Sequence, residues 1–225
     1  MAKLSWSKLC QTSVHHHKNG LLIAGQPPLW KFDSGLGEGE TARLSLEEIV
    51  TMVDELAPRR ELIEEVPGCR SFCARYAKDI FRVDVLGVTK AHAVIFTRLP
   101  PDAPVAIREG RGWYSGWNPD GPRMGWNELL KYANEADAAA LVLPGCPLFL
   151  WSRWGLHAYE TPAVSDDAFR SMIDEIMPPP DLKRQRQGLL DFRVHLSREI
   201  GQFRATVFCY PSPTVALLTK LSSEL

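Results

Sequence analysis

SLEEIVTMVDELAP, Ser45 to Pro58, is one amphipathic helix with its punctuation, and SDDAFRSMIDEIMP, Ser165 to Pro178, is the same helix written a second time. In the first, Ser45 is a natural N-cap with Glu48 three residues on, and Ile49, Met52, Val53 and Leu56 recur at i, i+3, i+4 and i+7. In the second, Ser165 caps, Asp166 and Asp167 suit the positive end of the helix dipole, and Phe169, Met172, Ile173 and Ile176 form the apolar stripe. Pro58 and Pro178 mark where each helix stops.

Outward from this pair the match continues. Trp6 falls on Trp126, Leu9 on Leu129, Gly25 on Gly145, Pro27 on Pro147, Gly35-Leu36 on Gly155-Leu156, and Glu40-Thr41 on Glu160-Thr161. Towards the C-terminus, Gly68, Phe72 and Ile80 meet Gly188, Phe192 and Ile200 at the same shift of about 120 residues. The shift then grows by about two, so that Phe81-Arg82 meets Phe203-Arg204 and Thr97-x-Leu99 meets Thr219-x-Leu221, as a hairpin turn of variable length would produce. The chain is therefore a tandem duplication, with a first domain at residues 1–100, a Pro/Gly/Trp-rich linker at 101–123 and a second domain at 124–225. Each copy is long enough to bury a core of its own.

Charge and composition narrow the function. With 26 basic against 27 acidic residues, no bulk field exists to hold nucleic acid or an anionic membrane. Met1 to Leu9 lacks the apolar core of a signal peptide, and no apolar run approaches the roughly 18 residues of a membrane span, so the expectation is a cytoplasmic protein without membrane insertion. Five cysteines without regular spacing suit reduced thiols.

Around the central helices the pattern is mostly extended. Phe192, Val194 and Leu196 alternate with polar positions, a turn follows at Ser197 to Gly201, and Phe203, Ala205 and Val207 resume the period of two before a last strand at Val215 to Leu218. The first copy offers Phe72 to Tyr76, Phe81 to Val85 and Ala93 to Phe96 in the same places. A strand pair at Leu21 to Ile23 and Leu29 to Phe32 is split by Ala24-Gly25-Gln26-Pro27-Pro28, and short helices at Trp6 to Leu9 and Trp126 to Ala133 open the copies. The fold class is α+β: a largely antiparallel sheet with helices packed on one face, made twice. In the linker, Trp113, Tyr114 and Trp117 are too aromatic for a flexible spacer and are expected to pack onto one or both domains, the alternative being a contact surface for a partner.

Candidate chemistry is sparse. Ser34 to Thr41 superficially resembles a phosphate-binding loop, but Glu40 stands where the lysine belongs, and the segment reads as an exposed acidic loop. His15-His16-His17, read as extended, alternates between faces and brings too few nitrogens to one ion. Cys69 and Cys73 lack a second ligand pair, and no nucleophile elbow is present. The expectation is no catalytic set, no metal site and no cofactor. The acidic pairs Asp54-Glu55 and Asp174-Glu175 do recur, on the polar sides of matching helices, where a solvated face or a partner contact is expected.

The order of these pieces resembles the N-terminal, PAS-like domain of the PilT/PilB/GspE traffic ATPases of type IV pili and type II secretion. In that family an ala-gly-x-pro-pro turn, a capped helix, a phe-arg-val-asn strand and a closing ile-pro follow one another. Ala24-Gly25-Gln26-Pro27-Pro28, Phe81-Arg82-Val83-Asp84 and Leu99-Pro100 fit it in the first copy, and Pro144-Gly145-Cys146-Pro147, Asp191-Phe192 and Phe203-Arg204-Ala205-Thr206-Val207-Phe208 in the second. The ATPase domain with its Walker A loop is absent from this sequence, and the arginine expected in the last strand falls on Thr97 and Thr219. The resemblance implies a pair of motor N-domains without the motor: a non-enzymatic adaptor, regulator or assembly protein contacting a traffic ATPase or other pilus machinery. It makes Arg82 and Arg204, with Asp54, Glu55, Asp174 and Glu175, the candidate interface. The alternative it implies is a pair of PAS-like small-molecule sensor domains.

Overall fold

The computed structural model describes residues 4–32, 35–39, 42–56, 63–87, 93–109, 117–179, 184–186, 189–195, 200–209 and 213–221. The first repeat runs α1 (Trp6–His16), β1 (Gly20–Ile23), β2 (Leu29–Phe32), β3 (Gly35–Glu38), α2 (Leu46–Leu56), β4 (Ile63–Val66), β5 (Cys69–Tyr76), β6 (Asp79–Leu86) and β7 (Ala93–Arg98). After a short α3 (Val105–Arg108), the second runs α4 (Trp126–Glu135), β8 (Ala139–Val142), β9 (Phe149–Ser152), β10 (Gly155–Ala158), α5 (Asp166–Ile176), β11 (Arg184–Arg186), β12 (Leu189–His195), β13 (Gln202–Cys209) and β14 (Pro213–Lys220). The sheets have the same strand order, β3-β2-β1-β7-β6-β5-β4 and β10-β9-β8-β14-β13-β12-β11. The duplication read from sequence is thus a duplication of topology. The chain divides into two compact units: Met1–Phe32, Leu36–Ser115 and Arg153–Leu156 form the first, and Asp33–Gly35, Gly116–Ser152 and His157–Leu225 the second.

Local chemistry explains why the helices sit where they do. Ser45 and Glu48 form a reciprocal capping box at the start of α2, with Ser45 N donating to Glu48 Oε2 at 2.8 Å and Glu48 N to Ser45 Oγ at 3.1 Å. Ser165 Oγ accepts from Ala168 N at 3.2 Å and caps α5, which stops two residues before Pro178. Pro58 lies outside the described residues. Ahead of both helices a repeated backbone clasp fixes the Gly-x-Pro turn: Gly25 N donates to Leu44 O and Leu44 N to Gln26 O, as Gly145 N does to Val164 O and Val164 N to Cys146 O. Gly25 and Gly145 hold φ of 81° and 76°, left-handed values that a side chain resists, so both copies keep glycine there.

One face of each sheet packs on its helices. In the first unit Trp6, Leu9 and Cys10 of α1 and Ile49, Met52 and Val53 of α2 meet Leu22, Val83, Val85, Val94 and Phe96. In the second, Trp126, Leu129 and Leu130 with Phe169 and Ile173 meet Val142, Ala205, Val207, Ala216 and Leu218. The two cores are filled differently at one cross-strand pair. Gly20 faces Phe96, and a Cβ at Gly20 would overlap the Phe96 ring, which is clamped edge-on by Trp6 and Trp30 at 5.6 and 5.5 Å. The equivalent pair is Ala140 facing Leu218: a larger residue on one strand and a smaller one on the other.

Several expectations are corrected. The segment from Ser34, read as an acidic loop, contains the edge strand β3, and β10 is its counterpart; a Gly-Leu-Gly-Glu run gives no β-branched signal, and only pairing with β2 makes it a strand. The edge strands β4 and β11 were also invisible to pattern. His15 and His16 form the last turn of α1 and His17 its left-handed C-cap at φ 53°, rather than a strand. The opening helices run longer than the expected Trp6–Leu9 and Trp126–Ala133. Of the linker aromatics, Trp117 does pack, its Nε1 donating to Thr161 O at 3.1 Å, whereas Trp113 and Tyr114 lie outside the described residues.

Cys10, Cys69 and Cys146 are buried, and Cys73 and Cys209 are only partly so. Burial, with a smaller push from Asp79, raises the Cys10 thiol to about 12. Because the folded thiol holds its proton more tightly than the unfolded one, its contribution to stability is intact below pH 9 and falls as the pH climbs from 9 toward 12. With a thiol reagent at pH 8, the native protein should react at Cys73 and Cys209 and release the other three thiols only on unfolding. Rapid labelling of Cys10 by peptide mapping would contradict this packing.

Candidate functional site

The candidate interface residues separate into two groups. Asp54 and Glu55 are exposed at the outer side of α2, and Asp174 and Glu175 are exposed at the same turn of α5, so the repeated acidic pairs face water in both units. Arg82 does not. It lies on β6 with no exposed surface, paired through Nε to Asp84 Oδ1 at 2.9 Å, and Asp84 is equally buried. Arg204 is intermediate, about a third exposed and held in a fork by Asp191, Nε to Oδ1 at 2.8 Å and Nη2 to Oδ2 at 2.5 Å. That fork raises the Arg204 guanidinium above its usual value. The expectation that Arg82 offers its charge to a partner therefore fails on burial, and Arg204 offers only part of its own.

The alternation that hides Arg82 follows from β6 itself. Phe81, Val83 and Val85 point toward the helices, which leaves Arg82, Asp84 and Leu86 on the opposite face. That face is closed from water as well, since Leu21, Ile23, Ile95, Thr97 and Leu86 are all buried. A guanidinium there needs partners for its donors, because it remains charged at any ordinary pH. Within the first unit Nη1 donates to the carbonyl of Trp154 at 3.3 Å, while Asp84, which holds Nε, accepts from Ser71 Oγ at 2.5 Å and from Leu156 N at 3.4 Å. Gly155 sits directly on the arginine, and a Cβ there would come within 2.5 Å of Arg82 Cδ. Gly155, at φ 98°, has no room and no conformational licence for a side chain.

The second unit solves the same problem with different residues. Ser71 and Asp84 are cross-strand partners on β5 and β6, and their equivalents Asp191 and Thr206 are cross-strand partners on β12 and β13. The carboxylate has moved across the ladder and a hydroxyl has taken its place. Arg82 and Arg204 keep their positions, each opposite the buried threonine, Thr97 or Thr219, that stands where the resemblance expects an arginine. A second arginine directly opposite would set like charges against each other.

Sequence reading missed a groove in the second unit. It measures about 490 Å³ and is lined by Arg123, Met124, Glu128, Tyr132, Tyr159 and Glu160. Tyr132 on α4 and Tyr159 beyond β10 hold their rings 4.7 Å apart at 35°. Its sequence signal is faint, because two tyrosines 27 residues apart have no motif. The histidines, by contrast, form no ligand set: His15 and His16 are in edge contact and His17 Nδ1 meets Arg98 Nη1 at 3.0 Å. Among the described residues no three of His, Cys, Asp or Glu group as metal ligands do, and no helix is long and apolar enough to cross a membrane. Neither a family model nor a curated protein matches this chain.

Losing the carboxylate at Asp84 would strand a buried cation, so Asp84→Thr should lower unfolding stability by about 3–5 kcal/mol in denaturant titration. Adding Ser71→Asp installs the second unit's arrangement and should recover most of that loss. A double variant no more stable than the single would show that the two positions do not exchange roles.

Proposed function

We propose that this chain is a non-catalytic protein of two PAS-like domains that works by protein–protein contact with a type IV pilus or type II secretion traffic ATPase, as adaptor, regulator or assembly element. The observation that carries this reading is the repeated acidic pair: Asp54-Glu55 and Asp174-Glu175 are exposed at the same turn of equivalent helices, outside both cores. Core positions repeat in a duplication because each copy must fold; an exposed charged pair has no such need. Two copies of one acidic face suit a partner that presents basic surface more than once, as a ring of identical subunits does. The order of the Ala-Gly-x-Pro-Pro turn, capped helix and Phe-Arg strand supports the choice of partner. The buried Arg82 moves the contact from the sheet arginines to the helices.

A second reading, a small-molecule sensor, is favoured by the groove beside Tyr132 and Tyr159, whose volume lies in the range of ordinary ligand sites.

The adaptor reading is tested by co-purification of the full chain with the pilus or secretion ATPase of the same cell. Capture is expected, and Asp54→Lys, Glu55→Lys, Asp174→Lys and Glu175→Lys together should weaken it about tenfold or more at low salt without altering the melting temperature appreciably. Failure to bind any such ATPase, or capture unchanged by the fourfold reversal, would overturn it.

A further inference from the structure

The groove of the second unit is lined by Pro122 on one side and by an aromatic pair on the other, with two acidic residues among its lining. Pro122 follows Gly121, which passes so close to the backbone of Glu160 that a Cβ there would collide with the Glu160 carbonyl. Gly121 N is tied back to Asn118 O at 3.2 Å, and Trp117 is anchored on Thr161. The aromatic wall is the Tyr132–Tyr159 pair, with Met124 beside it. Glu128, Glu160 and Arg123 also line it, two acids to one cation among the described lining residues. Glu128 is partly engaged with the helix start, accepting from Gly125 N at 3.4 Å. The Tyr159 phenol is held above its usual value by burial, by a hydrogen bond with Tyr132 and by the charges of Glu160 and Glu135, so the Tyr159 ring stays that of a neutral phenol.

The two tyrosines and Glu128 lie outside the shared architecture, whereas Glu160 repeats Glu40 of the first copy. The first repeat has Lys8, Thr12 and Gly39 where the second has Glu128, Tyr132 and Tyr159. A side chain at Gly39 would be tight, its Cβ 3.0 Å from both Pro28 O and Trp30 Nε1, so these neighbours would have to give way. The sheets, caps and turns of the two copies agree, yet at these three positions one copy has a cation and no ring and the other an acid and two rings. Folding does not require the tyrosines, since the first unit folds to the same topology without them.

Electron-rich ring faces with a surplus of negative charge attract a cation that carries its charge on a bulky, weakly hydrated group. From the second, sensor reading, on which this step rests, we infer that the groove binds an alkylammonium cation, seated against Tyr132 and Tyr159 and balanced by Glu128 and Glu160. A metal ion would find two carboxylates and no further ligands here, and an anion would meet two negative charges before Arg123. The same cationic group could arrive as a free quaternary amine or as a methylated lysine side chain of a protein.

The test is titration of the full chain with choline and with its neutral isostere 3,3-dimethylbutan-1-ol, followed by calorimetry and by chemical shifts of the tyrosine ring protons. Choline should bind and the isostere should bind at least about tenfold more weakly. Tyr132→Leu, which keeps an apolar side chain at a position 38% exposed, should weaken choline about fivefold or more in a variant shown to be folded by its far-ultraviolet circular dichroism, and Glu160→Gln should weaken it two- to threefold. A trimethyllysine peptide binding more tightly than choline would identify the side-chain source, and the reverse a free amine; either supports the site. Equal affinity for choline and the isostere would overturn the cation while leaving a ligand groove. Absence of binding by both, or affinity unmoved by Tyr132→Leu, would overturn the site.

Discussion

A charged arginine with no exposed surface constrains the first unit more than any other residue. Arg82 cannot neutralise itself by losing a proton, so every group around it is chosen for it: Asp84 for charge, Ser71 to hold Asp84, the Trp154 carbonyl to take a donor, and Gly155 because nothing larger fits on the guanidinium. The repeated Gly-Leu dipeptide that is visible in the sequence acquires its reason here, since Gly155 lies on the arginine and Leu156 N donates to its carboxylate partner. A buried pair of this kind does little for net stability against an apolar alternative, but it tolerates very few neighbours.

The two repeats agree less in residues than in pairs. Gly20 with Phe96 becomes Ala140 with Leu218, and Ser71 with Asp84 becomes Asp191 with Thr206, in each case across a ladder rung. Volume is kept in the first exchange, and one carboxylate with one hydroxyl in the second. The unit that stays constant is the cross-strand pair, as expected where packing across the sheet decides what a strand will accept.

Much of the fold was legible because its strongest signals are local. Caps at Ser45 and Ser165, the apolar stripes of α2 and α5, and the glycines at 25 and 145 act within a few residues and can be read without neighbours. The edge strands were not legible, because β3 and β10 are strands by pairing rather than by composition. Arg82 was misplaced for a related reason: alternation shows which residues share a face, but not whether that face meets water. The acidic pairs were placed correctly as exposed because a helix carries its own polar side. The groove escaped because its aromatic wall joins a helix to the end of a strand 27 residues later, and no periodicity spans that join.

The migration of the carboxylate also has a history that physics restricts. Two substitutions separate Ser71 and Asp84 from Asp191 and Thr206, and they did not arise in one step. If the old carboxylate went first, the arginine passed through a state with no counter-charge, a penalty of about 3–5 kcal/mol that a marginally stable domain seldom survives. If the new carboxylate came first, the domain held two acids and one base, and the spare acid could take up a proton and become neutral. Where the arginine is as fully buried as Arg82, the passable order is gain before loss; where it reaches water, as Arg204 does, the constraint is relaxed, so burial of the arginine sets which exchanges the ladder permits.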